Sequence, residues 1–137
     1  PQIRYPDYYG IDMPRLEEFC VFRATIELIR ERGMNDLLQR VYEACKLELL
    51  KPKDMMRNCV RDIYKPFSTE EINQKVAEML RPEGLKTPVE LVFQSIDGLH
   101  EAIPNHHGDW YFTGKYPTPG GTKLCNQAFV NYIDRQK

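Results

Sequence analysis

The sequence predicts an α+β domain that is mostly helical, with a helical block followed by a small strand and loop region. Apolar residues recur every three or four positions through most of the first 80 residues, as they do on one face of a helix. Ser68 and Glu71 have the spacing of a capping box, which opens a helix. Apolar and polar residues then alternate around 89–94, a pattern typical of a strand.

The helical block is predicted to contain four helices, each with an apolar face and each ended by Gly or Pro. Gly33 can take the left-handed conformation common at a helix end. Pro52, Pro66 and Pro82 cannot continue a helix, since proline lacks the backbone N–H. The predicted helices are 15–31, 35–49, 54–64 and 68–80.

The elements predicted after Pro82 are shorter. One strand is expected at Val89–Phe93, and a turn at Asp97-Gly98 leads into a short helix. A Pro-Gly turn followed by a Thr cap explains 118–122 better than a phosphate-binding helix N-terminus does, because the phosphate-loop motif is absent. The remaining predictions are a helix at 99–103, an ordered loop at 105–122 with a short strand at 110–112, and a closing helix at 123–133.

Composition excludes several classes of partner. The 137 residues include 19 Lys+Arg and 20 Asp+Glu, for a net charge of -1, so no charge excess favours nucleic acid or an anionic membrane surface. No apolar run approaches the roughly 20 residues that span a membrane. We therefore expect no nucleic-acid partner and no membrane insertion.

The four cysteines are widely separated and include no C-x-x-C pair, so we expect no metal ligated by thiols. Cys20, Cys45 and Cys59 lie among apolar residues at helical spacing. This favours reduced, buried thiols in a cytoplasmic protein, and disulfides in a secreted domain are the alternative.

Two further groups of polar residues suggest chemistry at first sight. His106-His107 beside Asp109 could bind a metal or exchange protons, but neighbouring side chains in an extended chain point in opposite directions. A surface loop with incidental histidines is the preferred interpretation. The acidic pairs at 17–18 and 70–71 lie in first turns of predicted helices, where the helix dipole favours acids without any catalytic role.

Two runs of sequence carry more information than periodicity. Residues 3–14 read I-R-Y-P-D-Y-Y-G-I-D-M-P and residues 112–117 read F-T-G-K-Y-P. Both resemble, in the same order, runs of the amidophosphoribosyltransferase family, the glutamine phosphoribosylpyrophosphate amidotransferases of purine synthesis. Residues 69–72 and 91–103 resemble that family's helix start and its strand-then-helix segment.

The resemblance implies that this chain is the C-terminal part of a type I phosphoribosyltransferase domain. The parent enzyme would carry an N-terminal glutaminase domain, whose terminal Cys releases ammonia, and would make phosphoribosylamine from phosphoribosylpyrophosphate and glutamine. This chain has neither that nucleophile nor the Asp-Asp loop that holds the ribose phosphates. We therefore expect it to be a piece of a longer enzyme and to be inactive alone.

The same resemblance divides the chain into a motif segment (1–18), a helical insertion (19–67) and a family-like region (68–137). The family passes directly from the first part to the third, so we expect the insertion to be a packing or oligomer surface. Implied partners are the upstream glutaminase and transferase portions and further copies in a homo-oligomer. The alternative function is a noncatalytic oligomerisation or partner-binding module formed by the inserted helices.

The resemblance places Asp12, with Tyr9 beside it, near the point where ammonia meets the sugar. The alternative for Asp12 is to cap a helix that starts at Pro14. Gly108 and Tyr111 occupy the positions at which some family members have the C-x-x-C of an iron–sulfur cluster, so no cluster is expected. The parent would use Mg²⁺ with phosphoribosylpyrophosphate.

Overall fold

A computed structural model describes residues 15–109 and 120–136. These residues form five α-helices and three 3₁₀ turns and contain no strand, so the prediction of a mostly helical fold is confirmed. The helices are α1 (Cys20–Glu31), α2 (Asn35–Glu48), α3 (Thr69–Leu80), α4 (Ile96–Ala102) and α5 (Gly120–Asp134), and the 3₁₀ turns are Leu16–Glu18, Lys53–Met55 and Val60–Ile63.

The core lies between α1, α2, α3 and α5. Helix α1 packs against α3, and α2 packs against α5. The Phe22 ring of α1 meets Tyr132 and Phe129 of α5 edge-on, at centroid distances of 5.0 Å and 6.3 Å. Edge-to-face contacts of this kind stabilise aromatic pairs beyond their buried area. Phe22 therefore joins the two helix pairs into one core.

Helices α2 and α5 run in opposite directions. Tyr42, near the middle of α2, donates a hydrogen bond to Asp134 Oδ1 at the end of α5, at 2.6 Å. Cys45, further along α2, contacts Asn126, which lies nearer the start of α5. The end of α2 therefore lies beside the beginning of α5.

The capping box at the start of α3 is confirmed. The Glu71 backbone N–H donates to Ser68 Oγ at 3.1 Å, and the Ser68 backbone N–H donates to Glu71 Oε2 at 2.8 Å. Glu71 also forms an ion pair with Arg32, which directly follows α1. The backbone N–H of Ser68, and then Arg32, lower the pKa of the Glu71 carboxyl. The box therefore fixes the start of α3 and ties it to the end of α1.

Ser68→Ala is expected to lower the free energy of unfolding by about 1 kcal/mol, because one N–H of the first turn of α3 loses its acceptor. Urea denaturation of the chain measures the change. Ser68→Asp, which keeps a side-chain acceptor, should retain most of the stability. Equal losses in both variants would contradict the capping role.

The first helix starts later than the sequence predicts. Arg15 has an extended backbone (φ −143, ψ 104) and precedes the first 3₁₀ turn, and Phe19 is extended again (φ −97, ψ 128) before α1 begins. The predicted helix is therefore interrupted between the 3₁₀ turn and α1. Leu16 in this turn is completely buried, and the turn packs on both α1 and α5. The predicted end is confirmed, since α1 stops at Glu31 and Gly33 has a φ of 66°.

The helix predicted at 54–64 is wrong. Two short 3₁₀ turns stand there, separated by an irregular stretch at 56–59. Side chains from other parts of the chain accept hydrogen bonds from the backbone of this stretch. The Arg57 N–H donates to Glu48 Oε2 at 2.8 Å, and the Cys59 N–H donates to Asn126 Oδ1 at 3.1 Å. Those groups are unavailable to a helix, which needs them for its own ladder.

The predicted starts of α4 and α5 are also too late. Asp97 and Gly98 are part of α4, whose first turn is capped by Ser95: the Gly98 N–H donates to Ser95 Oγ at 3.0 Å. Gly120, Gly121 and Thr122 belong to α5 rather than to a turn and cap, and Gly121 is buried.

The strand predicted at 89–93 does not form among the described residues, because no second strand pairs with it. The strand predicted at 110–112 lies outside the described residues. In the part of the chain that the structure describes, none of the helices has the length and apolar content needed to cross a membrane.

Candidate functional site

Tyr9 and Asp12, the two site residues implied by the resemblance, lie outside the described residues. The described residues begin at Arg15, and the 3₁₀ turn that follows is anchored by two contacts. Leu16 is completely buried, and Glu17 pairs with Arg135 at 3.0 Å, just beyond the end of α5. Arg15, the first described residue, has an extended backbone and is not part of a helix.

The structure brings together a different histidine pair from the one in the sequence motif. His100, in the last turn of α4, places Nε2 at 2.8 Å from Asp109 Oδ1. His106 Nε2 lies 3.5 Å from the same oxygen. His107 is not part of this group, as its position next to His106 predicts. Sequence reasoning missed His100, because it lies in the preceding helix.

The His100, His106 and Asp109 side chains are all partly exposed. The Asp109 carboxylate can accept a hydrogen bond from His100 Nε2 and fix the orientation of that ring, whereas His106 Nε2 accepts from the Gly108 N–H and lies close to Asp109 without donating to it. Here the contact fastens residues 104–109 to the end of α4. Among the described residues, no three His, Cys, Asp or Glu side chains are arranged to hold a metal ion.

Gly108 lies against the ring of His106. Its N–H donates to His106 Nε2 at 3.2 Å, and a Cβ at this position would lie 2.8 Å from His106 Cε1. A cysteine side chain could not enter without displacing the imidazole. Tyr111, the other position on which the expected absence of a cluster rests, lies outside the described residues.

All four cysteines are free and buried, which confirms the prediction of core thiols. Burial raises the pKa of the Cys45 thiol and of the Cys59 thiol. Thiols of raised pKa remain protonated at neutral pH and are poor nucleophiles and poor metal ligands. Neither is a candidate catalytic residue.

Asn126 is the centre of a buried polar cluster that sequence reasoning missed. It is completely buried in α5. Its Oδ1 accepts from the Cys59 N–H and, at 3.5 Å, from Cys45 Sγ. Its Nδ2 donates to the Arg57 carbonyl at 2.9 Å. Because every partner is structural, this cluster holds the 56–59 stretch against α2 and α5 and is not a reaction site.

Two grooves of the described surface lie between different elements of the fold, and a third, of about 410 Å³, is lined by α2 alone. One, of about 500 Å³, lies between α3 and residues 88–91 and includes Ala77, Arg81 and Leu91 in its lining. The other, of about 380 Å³, lies between α1 and the end of α5 and includes three arginines, Arg23, Arg30 and Arg135. Arg30 donates to Gln136 and Arg135 pairs with Glu17, so two of the three guanidinium groups already have partners.

No family model, no curated protein and no solved structure matches this chain. The motif runs at 3–14 and 112–117 therefore remain the basis for any assignment of activity.

Proposed function

We propose that this chain is the C-terminal segment of an amidophosphoribosyltransferase-type enzyme. The parent would release ammonia from glutamine and transfer it to phosphoribosylpyrophosphate, the first committed step of purine synthesis. The observation that carries the proposal is the pair of motif runs at 3–14 and 112–117, in the order in which the family has them. Free, buried cysteines support a reducing compartment, so we place the enzyme in the cytoplasm.

Two helices support the comparison over the middle of the chain. The V-x-E-I-like residues 69–72 open α3, and the family-like segment 91–103 contains α4. The two helices agree with the resemblance, whereas the strand of the family's strand-then-helix segment does not form among the described residues. Leu16, in the first 3₁₀ turn, is completely buried, so the described part of the chain is anchored to the helical core from its second residue onward.

In the proposed reaction, the ammonia nitrogen attacks C1 of the activated ribose. The bond from C1 to the pyrophosphate oxygen breaks, pyrophosphate leaves with the electron pair, and the new amine loses a proton. Asp12 would accept a hydrogen bond from an ammonia N–H as positive charge develops on nitrogen. Tyr9 would lie beside it. The groups that hold the ribose phosphates and Mg²⁺ would belong to the upstream transferase portion.

Asp12→Asn in the full-length parent is expected to reduce phosphoribosylamine formation from ammonia by about a hundredfold, because the amide is a weaker acceptor for the developing positive charge. Asp7→Asn is the matched control, since the motif leaves that position open. Pyrophosphate release measures the rate, and thermal unfolding confirms that both variants fold. An unchanged rate in Asp12→Asn would remove Asp12 from the site.

The isolated 137-residue chain provides a second arm of that experiment. It should release no pyrophosphate from phosphoribosylpyrophosphate and ammonia, because it lacks the ribose-phosphate loop. Clear release by the chain alone would contradict the proposal that it is only a segment of the enzyme.

A second candidate function is a noncatalytic module that binds a partner through the insertion at 19–67. Three large apolar side chains of this insertion are exposed: Leu47 at 64%, Leu50 at 82% and Met55 at 68%. Large apolar side chains left exposed to solvent favour a binding surface if they form one patch. The coding sequence upstream of Pro1 separates the two candidates. If it encodes neither a terminal Cys after processing nor the Asp-Asp loop, only the binding module stands.

A further inference from the structure

Residues 88–94 run between α3 and α4 without a helix, turn or bend. No backbone N–H or C=O of these residues makes a hydrogen bond within the part of the chain that the structure describes. The stretch ends at Ser95, whose backbone is extended (φ −78, ψ 154). Unpaired, unbent backbone with apolar side chains is a template for pairing with another strand.

The side chains of residues 88–94 are those expected of a β-strand that has no neighbouring strand. Val92 is 87% exposed and Phe93 is 43% exposed, whereas Leu91 is partly buried and packs against the core. Valine, leucine and phenylalanine favour pleated, half-buried positions. Leu91 therefore anchors the stretch, and the residues after it present apolar surface to solvent.

We propose that residues 90–94 pair with the same residues of a second copy of this chain, antiparallel, about a two-fold axis at Val92. The sequence is self-complementary in that register. Val92 lies opposite Val92, Leu91 lies opposite Phe93, and Glu90 lies opposite Gln94, with no like charges facing each other. Such an interface uses the same surface on both copies, as a two-fold dimer requires.

The groove along α3 provides room for this pairing. It lies between α3 and Pro88–Leu91, and its lining includes Ala77. In the proposed register the Phe93 ring of the second copy lies opposite Leu91, at this groove. An exposed aromatic side chain thereby gains apolar contacts that the single chain does not provide. This dimer does not depend on the transferase proposal, since it uses only residues 90–94 and the groove along α3.

A cysteine placed at the axis tests the register. In Val92→Cys the two new thiols face each other across the strands, with Cα atoms about 5 Å apart. In Glu90→Cys, the matched control on the same face, the two thiols lie about 14 Å apart, because position 90 pairs with position 94. With oxidised glutathione, we expect a disulfide-linked dimer for most of the Val92→Cys chain and little for Glu90→Cys. The four native cysteines are buried and should add little background.

Sedimentation of the chain without added cysteines provides the second measurement. The native chain should sediment as a dimer at micromolar concentration, and Val92→Lys, which sets two ammonium groups against each other at the axis, as a monomer. Because Val92 is largely exposed, neither substitution disturbs the core. A monomeric native chain, a Val92→Lys dimer, or equal crosslinking at positions 90 and 92 would each overturn the proposal.

Discussion

Phe22→Ala is expected to lower the free energy of unfolding by about 4 kcal/mol, the largest effect of any single change considered for this chain. Phe22 is completely buried. Its ring makes edge-on contacts with Phe129 and Tyr132, so the substitution removes apolar burial and two aromatic contacts and leaves a cavity where α1 meets α5.

Phe22→Leu is the matched control, because leucine keeps most of the apolar volume but not the ring. We expect it to cost less than half as much as Phe22→Ala. Urea denaturation followed by circular dichroism measures both. A loss below about 1 kcal/mol in Phe22→Ala, typical of a surface substitution or a trimmed methyl group, would mean that α1 and α5 do not meet through this ring.

Asn126→Ala is expected to lower the free energy of unfolding by about 3 kcal/mol. The substitution removes the acceptor of the Cys59 N–H and the donor to the Arg57 carbonyl. A buried polar group left without a partner costs about 1–3 kcal/mol, so two such groups account for the expected loss. The irregular stretch at 56–59 should loosen as well, since Asn126 satisfies two of its backbone groups.

The neighbouring residue provides the control. Gln127 is exposed and bonds Asn131 within α5, at 2.9 Å, so Gln127→Ala should change stability by less than about 0.5 kcal/mol. Hydrogen exchange of the Cys59 amide distinguishes the two substitutions: it should accelerate in Asn126→Ala and stay slow in Gln127→Ala. Slow exchange in both would contradict the assigned bond.

The parts of the fold that could be predicted are those governed by local sequence. The first residue of α2 and both ends of α3 follow from apolar periodicity and from the Ser68–Glu71 box, whose groups are three residues apart. The end of α1 follows from Gly33. In each case the residues that decide the structure lie within one or two helical turns of each other.

The errors have non-local causes. Residues 54–64 have the apolar periodicity of a helix. However, the Cys59 N–H, which a helix would use for its own hydrogen bonds, donates to Asn126, 67 residues further along the chain. Nothing in the α5 sequence distinguishes Asn126 from an exposed polar residue. The alternation at 89–93 is genuine, yet a strand requires a partner, and periodicity says nothing about whether one is present.

The candidate site is even harder to predict from local sequence than the fold is. Periodicity and spacing gave no catalytic residue, and Tyr9 and Asp12 were identified only by resemblance to a family motif. The histidine–aspartate cluster on the described surface pairs His100 with Asp109, nine residues away, across the end of a helix. Only the position of α4 relative to the following loop creates that contact.

The antiparallel contact between α2 and α5 has a consequence for synthesis of the chain. Tyr42 and Asp134, which it joins, are 92 residues apart. At about 5–20 residues per second, a ribosome needs roughly 5–20 s to make the polypeptide between them. Throughout that interval Phe22 and the buried side of α2 lack the helix that covers them. The nascent protein therefore displays much of its apolar interior while translation continues, and chaperones that bind emerging chains have several seconds in which to engage it.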